Sequence, residues 1–163
     1  MVIVKWILIV IAVLVVGGIA AGQLGFLKGT PPADIGVRDG RLKAPSNTDN
    51  SVSSQAGLYP DHPQRAYATI APLALVGDGP ATMAKIKAIV QSTSGAALVK
   101  SEPDYLYAQY TTPLMKYVDD FEFWLDPANA VVQVRSASRI GKSDLGANRK
   151  RVEALRAALA ASR

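Results

Sequence analysis

Twenty-two consecutive residues without a charge, Trp6 to Leu27 (WILIVIAVLVVGGIAAGQLGFL), constrain this chain more than any other feature. At 1.5 Å per residue a helix over that run is about 33 Å long, just over the roughly 30 Å of bilayer hydrocarbon. Residues 1–27 therefore read as a transmembrane anchor. A cleavable signal peptide is the rival reading, with Lys5 as its basic flank and Gly18-Ile19-Ala20 as a small-residue cleavage site. The run exceeds the usual apolar core of a signal peptide, which favours retention. Gly17, Gly18 and Gly22 leave a small-residue strip, a candidate face for close packing by another membrane helix.

The side on which the rest of the chain lies is set by two opposed arguments. Lys5 is the only charged side chain ahead of the run, whereas Lys28, Arg38, Arg41 and Lys43 follow it. That count alone favours a cytoplasmic domain. A short N-terminal anchor followed by a long domain usually leaves the domain outside, because long domains translocate largely regardless of charge. The expectation is a single-pass inner-membrane protein with a periplasmic domain. Cysteine is absent, so composition is silent on redox compartment.

Beyond the anchor, residues 28–65 are rich in Pro, Gly, Ser, Asn and Asp and show no sustained period. They read as an extended tether, part of which packs on the body because a structureless connection of that length is unusual. Residues 66–163 carry the regular patterns of one α+β domain. AYATIAPL suggests a first strand, followed by a helix near 78–92 with Asp78 as N-cap, Pro80 in the first turn and Met83, Ile86, Ile89 and Val90 at helical spacing. Strand patterns follow near 96–100, 105–112, 116–125 and 130–138. A last helix is expected from Asp144 to Ala161, capped by Ser143 or Asp144, with Leu145, Val152, Leu155 and Leu159 turned inward. The predicted fold is a mostly antiparallel sheet of about five strands with two flanking helices, preceded by one transmembrane helix.

The last two strands admit two registers, and burial chooses between them. If Asp126 faces Val131 across the loop 127–130, then Phe121, Phe123 and Leu125 share a face with Val132 and Val134. The opposite face then carries Asp120, Glu122 and Trp124 beside Gln133, Arg135 and Arg139, with Glu122 opposite Arg135. A slip of one residue would set Phe121 beside Arg135 and bury charge. The chosen register makes cross-strand ion pairs the plain explanation of two blocks of opposite sign: residues 102–126 hold six acidic side chains and one lysine, and residues 135–163 hold eight basic and two acidic. If residues 28–65 cover that face, the same groups form a buried network.

The net charge of +5 excludes little by itself. Without Lys5 and Lys28 the remainder holds sixteen basic against thirteen acidic residues, and no basic arm interleaved with aromatics is present. Nucleic acid is therefore not an expected partner. Within RSASRIGKSDLGANRKR, residues 135–151, the Gly-Lys-Ser step lacks the first glycine and spacer of a phosphate loop. It reads instead as the seam between a strand and the last helix, with Gly141 permitting the turn. Asn148, Arg149 and Arg151 ride the first turns of that helix, where cations oppose its dipole. Asp144 and nearby sheet carboxylates are expected to offset Arg149; an external anion is the alternative. Asp120, Glu122, Arg135, Arg139, Asp144, Asn148 and Arg149 are thus the candidate polar network or anion site.

The stretches YVDDFEFWLD and VRSASRIGKSDLGANRKRVEALR, with the earlier IGVRDGRL and VSSQA, resemble the bacterial and plastid family called domain of unknown function 1499. The likeness spans about residues 34–160. It implies no activity, and it implies a small protein exported or anchored by an N-terminal apolar segment. Members often carry a cysteine pair in the stretch that reads APSNTDNSVSS here, with Ala44 and Ser51 in those places. A pair missing together suits a lost disulfide and so supports an extracytoplasmic domain.

Catalysis has little support in the residues. Strand alternation sends Asp119 and Asp120 to opposite faces, so they cannot share a proton. Asp120 and Glu122 share a face, but arginines beside them would keep both ionised. His62, in YPDHP, is a lone loop histidine without a second ligand for a metal, and no cofactor is implied. The expected role is a non-catalytic accessory or assembly subunit of a membrane protein complex, with the bilayer as a further partner. The alternative is a carrier of a lipid or other apolar ligand, for which Tyr105, Tyr107, Tyr110 and Tyr117 would line a groove.

Overall fold

A computed structural model describes residues 2–162. The first helix, α1 (Val2–Gln23), is long and apolar enough to cross a membrane, and of its residues Gly22, near the end, is buried. It begins before Lys5 and stops short of the end of the uncharged run. Leu24 to Leu27 form turns, with Gly25 at a φ of +89° where helices commonly end.

The body is a six-stranded antiparallel sheet with helices on one face. Its strands are β1 (Ser51–Ser53), β2 (Leu73–Ala74), β3 (Ala96–Ser101), β4 (Tyr105–Thr111), β5 (Val118–Asp126) and β6 (Val131–Ser138). The order is β1-β6-β5-β4-β3, and β2 pairs with β6 on the same edge as β1 but further along. Asp126 faces Val131 and Glu122 faces Arg135, the register that keeps charge out of the core.

Helices α3 (Gly79–Ser92) and α4 (Ala147–Ala161) cover the apolar face. Asp78 caps α3 by accepting from the Ala81 N–H at 2.7 Å, and Pro80 sits in the first turn, where a missing N–H removes no helical bond. Met83, Ile86 and Val90 of α3 and Val152, Leu155 and Leu159 of α4 pack on Phe121, Phe123, Val132 and Val134.

Two local expectations fail. Residues 66–73 do not form a strand: they contain most of α2 (Arg65–Ala68), one helical turn, then extended chain leading into β2. Pro72 can donate nothing to a sheet, and arginines of α4 rather than a neighbouring strand bond this segment's carbonyls. Arg149 donates to the Tyr67 and Thr69 carbonyls, and Arg156 to those of Ala71 and Pro72 at 2.7 and 2.6 Å. Leu145 is not a core residue either. It precedes α4 at a φ of +51° and is 89% exposed.

The second face of the sheet is covered without any helix. Residues 34–46 cross it as a strap, and Leu42 packs on Tyr105 and Tyr107, with Ile35, Val37 and Trp124 at the edges. Gln55 pins the strap by accepting from the Leu42 N–H at 2.8 Å and donating to the Gly40 carbonyl at 3.0 Å.

Candidate functional site

Two pairs of oppositely charged residues lie under the strap, the acids at alternate positions of β5 and their arginines at Arg135 of β6 and at Arg139 just past its end. Glu122 is sealed, with no solvent exposure. One of its oxygens accepts from the Tyr105 hydroxyl at 2.8 Å and from the Gly36 N–H of the strap at 2.9 Å; the other meets the Arg135 guanidinium at 3.4 Å. Arg135 also donates to the Ala44 carbonyl at 3.3 Å. The strap therefore contributes backbone groups to both members of this pair.

Asp120 and Arg139 form a forked pair. Nε of Arg139 lies 3.0 Å from one carboxylate oxygen and Nη2 lies 2.8 Å from the other. Such a geometry matches a guanidinium to a carboxylate through two parallel bonds. The Tyr107 hydroxyl donates to Asp120 at 2.5 Å and accepts from Gln109 at 2.9 Å. Asp120 and its bonds hold the Arg139 charge in place, raising its pKa above the ordinary arginine value.

A pocket of about 410 Å³ opens over this layer, bordered by Asp34, Lys43, Asp120, Arg135 and Arg139. Lys43 closes on Asp34 at 2.5 Å and holds that carboxyl below its usual range. Three carboxylates thus meet three cations, and no excess positive charge is left for an external anion. Burial raises the pKa of Tyr105 and Tyr107, with the neighbouring carboxylates acting in the same direction, so both hydroxyls remain protonated donors.

Asp119 points to the other face, as alternation requires, and pairs with Arg151 of α4 at 2.7 Å. Arg151 also donates to Asn148 Oδ1 at 2.9 Å and lies over the Tyr110 ring at 4.7 Å. Asn148 is fully buried and ties α4 to β6, to the residue before β1 and to the turn ahead of the helix. Its oxygen accepts from Ser136, while its amide donates to the Asn50 carbonyl, to Ser138 Oγ and to Asp144.

Asp144 closes the start of α4 from outside the helix, since the N-cap position itself is Gly146. Its carboxylate accepts from the N–H groups of Gly146 and Asn148, both at 2.9 Å, and from the Tyr67 hydroxyl at 2.5 Å. Burial opposes ionisation there, but these donors win and hold Asp144 below its ordinary value. Burial and the same carboxylate push Tyr67 up to about 12. Among the described residues, Arg149 has no carboxylate in contact. Its charge is met by the two backbone carbonyls of the α2 segment, an arrangement that neither the expected carboxylate nor an external anion describes.

The seven candidate residues therefore fall into two groups on opposite faces. Asp120, Glu122, Arg135 and Arg139 lie under the strap, whereas Asp144, Asn148 and Arg149 lie at the α4 start. The sequence reading missed Tyr105, Tyr107 and the strap amide as ligands of the carboxylates, and Arg151 as the partner of Asp119. Same-face alternation along β4 could have indicated the tyrosines; nothing local indicated the strap. The four tyrosines do not line one groove. Tyr105 and Tyr107 face the strap, Tyr110 packs in the helical core, and Tyr117 is exposed near α1. His62 is a loop residue whose Nδ1 accepts from the Gln64 N–H, and no metal-binding cluster occurs among the described residues.

The glycine strip of α1 is also divided. A Cβ at Gly22 would lie 2.5 Å from the Met115 carbonyl oxygen, so this chain's own β4–β5 loop occupies that face. Gly18 lies near the Met115 side chain, and Gly17 is open.

Residues 41–159 match the family described as protein of unknown function DUF1499. The chain belongs to this family. The match takes in the second half of the strap, all six strands, α3 and α4 up to Leu159, and leaves the anchor outside. Both charge layers of this DUF1499 protein lie within it, apart from Asp34 and Gly36 at the front of the strap. No curated protein and no solved structure matches the chain.

Proposed function

We propose that this DUF1499 protein is a non-catalytic accessory or assembly subunit of a membrane protein complex, held by α1 in the inner membrane with its domain on the periplasmic side. The saturation of the charged layer carries this reading. A general acid or base must reach a substrate. Glu122 and Asp120 are instead sealed and bound by arginine, tyrosine and strap groups. Such a layer fixes the strap on the sheet and leaves outward surfaces for contact.

The open side of α1 at Gly17 offers a place for a second helix to approach closely. A carrier of apolar ligands has less support, because core side chains fill the space between the sheet and its helices and the tyrosines diverge. The test is purification of the full chain in mild detergent. A stoichiometric assembly is expected, and recovery of the chain alone as a monomer overturns the reading.

A further inference from the structure

The loop that reaches the anchor comes from one end of the sheet. Thr111 pairs with Val118 and Asp119 with Ser138, so the end of β4, the start of β5 and the end of β6 lie together. The β4–β5 loop, residues 112–117, folds down beside α1. Gln23 donates to the Leu114 carbonyl at 2.9 Å, and Met115 lies against Gly22 and approaches Gly18. Gly18 is five residues from the end of α1, so the loop overlaps the helix by about 8 Å.

That overlap fixes depth. Lys5 marks one boundary, and roughly 30 Å of hydrocarbon from Trp6 is used up after about 20 residues, near Gly25. Gly18 and Gly22 then lie in the last part of the span, and the loop beside them lies at the same level. Part of its backbone is paired internally, which suits a level where unpaired polar groups are costly. The Thr112 N–H donates to the Tyr117 carbonyl and the Lys116 N–H to the Thr112 carbonyl. The Tyr117 N–H uses Thr112 Oγ1, and Pro113 has no N–H to satisfy.

The surface around the loop is apolar in a way that the fold does not require. Leu24, Phe26, Leu114 and Tyr117 are exposed, and Leu145 stands almost fully in solvent on a backbone conformation that leucine rarely adopts. Leu27, Tyr117, Ile140 and Leu145 border one pocket of about 390 Å³. Lys28, Lys116 and Lys142 are sequence neighbours of this surface, and lysines beside apolar groups favour an anionic bilayer interface.

We infer that the domain does not hang free on its anchor but rests on the leaflet from which α1 emerges, with Leu114 and Leu145 inserted among the lipids. The occupant of the apolar face is the bilayer itself. This goes beyond the accessory role and stands independently of it, since it needs no protein partner.

The native chain has no cysteine, so single-cysteine variants of the full protein report depth directly. Leu114→Cys, Leu145→Cys, Leu8→Cys and Ala128→Cys are each labelled with an environment-sensitive fluorophore. Each is reconstituted into phosphatidylcholine and phosphatidylglycerol vesicles containing spin-labelled lipid. Leu8 lies in α1 and verifies insertion. Ala128 lies in the β5–β6 turn, which the nine residues of β5 set roughly 27 Å from the loop. The inference expects the labels at Leu114 and Leu145 to be quenched several-fold more than the label at Ala128. If Leu8 is quenched while Leu145 matches Ala128, the inference is overturned. Purified vesicles contain no other protein, so an apolar face reserved for a protein partner gives that second result.

Discussion

Glu122 and Arg135 stand directly opposite each other on β5 and β6, 3.4 Å apart and both withdrawn from solvent, beneath a strap that bonds to each of them. Removing one member leaves the other charged and buried, which typically costs about 3–5 kcal/mol. Arg135→Met is expected to lower stability by that order. Arg135→Met with Glu122→Gln, which removes both charges, should recover a large part. Thermal unfolding of the full chain in detergent, followed by the fluorescence of Trp124 at the strap edge, measures both. A double variant no more stable than the single one would show that the pair is not the source of the loss.

The register of this pair was legible because alternation and charge agreed: one choice buried phenylalanines, and the other buried arginine. Helix α3 was legible for a similar reason, with Asp78, Pro80 and the apolar stripe all giving the same boundaries. Cover of the charged face by residues 28–65 was legible as a possibility, but the strap's contacts were not, since they join residues far apart in sequence and its period is irregular. AYATIAPL misled because an alternating apolar run takes its partners from tertiary structure; here those partners are guanidiniums on α4. Leu145 misled because helical spacing was extended one turn too far, past the glycine at which α4 begins.

Gln55 bonds the strap at the Leu42 N–H and the Gly40 carbonyl, while the Tyr59 hydroxyl donates to the Leu42 carbonyl. Gln55→Ala removes the acceptor of a buried N–H, a loss of about 1–3 kcal/mol. Local opening should then become roughly ten-fold or more frequent. Hydrogen exchange should accelerate at Leu42 and Gly36 while the amides of β5 keep their protection. Uniform acceleration would mean that the strap and sheet unfold as one unit.

The pairing of Tyr67 with Asp144 gives the domain opposite sensitivities at the two extremes of pH. Asp144 has a folded pKa below its ordinary 3.8, so its contribution is complete above that value and is lost as pH falls through the lower folded value. Tyr67 has its pKa raised from 10.0 to about 12, so its contribution is complete below pH 10 and is lost as pH rises towards 12. Stability measured by denaturant titration should fall in both windows. Asp144→Asn should flatten part of the acid side, the rest belonging to Asp34 and Asp126, and Tyr67→Phe part of the alkaline side, the remainder belonging to Tyr105, Tyr107 and Tyr110. An unchanged alkaline slope in Tyr67→Phe would exclude its hydroxyl as a contributor.

Asn148 bonds to Ser136, Ser138, Asp144 and Arg151 and to the Asn50 carbonyl from a fully buried position. An alanine there orphans several groups at once, each worth about 1–3 kcal/mol when left unpaired. Asn148→Ala is expected to destabilise by at least about 3 kcal/mol, well beyond a surface change. Asn148→Asp keeps the acceptor for Ser136 and Arg151 but sets a second carboxylate against Asp144, so it should also destabilise. Equilibrium denaturation separates these outcomes from the small effect expected of a replacement at Lys150, which is exposed two residues further along α4.

Gly22 and Gly17 lie five residues apart on α1 but face different surroundings. A side chain at Gly22 would strike the Met115 backbone, a contact that a flexible side chain cannot relieve, whereas Gly17 faces open space. Gly22→Leu is therefore expected to push the β4–β5 loop from the helix and break the bonds from Gln23 to the Pro113 and Leu114 carbonyls. Amide exchange across residues 112–117 should rise several-fold in nanodiscs. Gly17→Leu should leave that exchange unchanged, because any contact it disturbs is with a neighbouring helix and not with the domain. Equal effects of the two changes would mean that the loop is held by the bilayer alone, with no seat on α1.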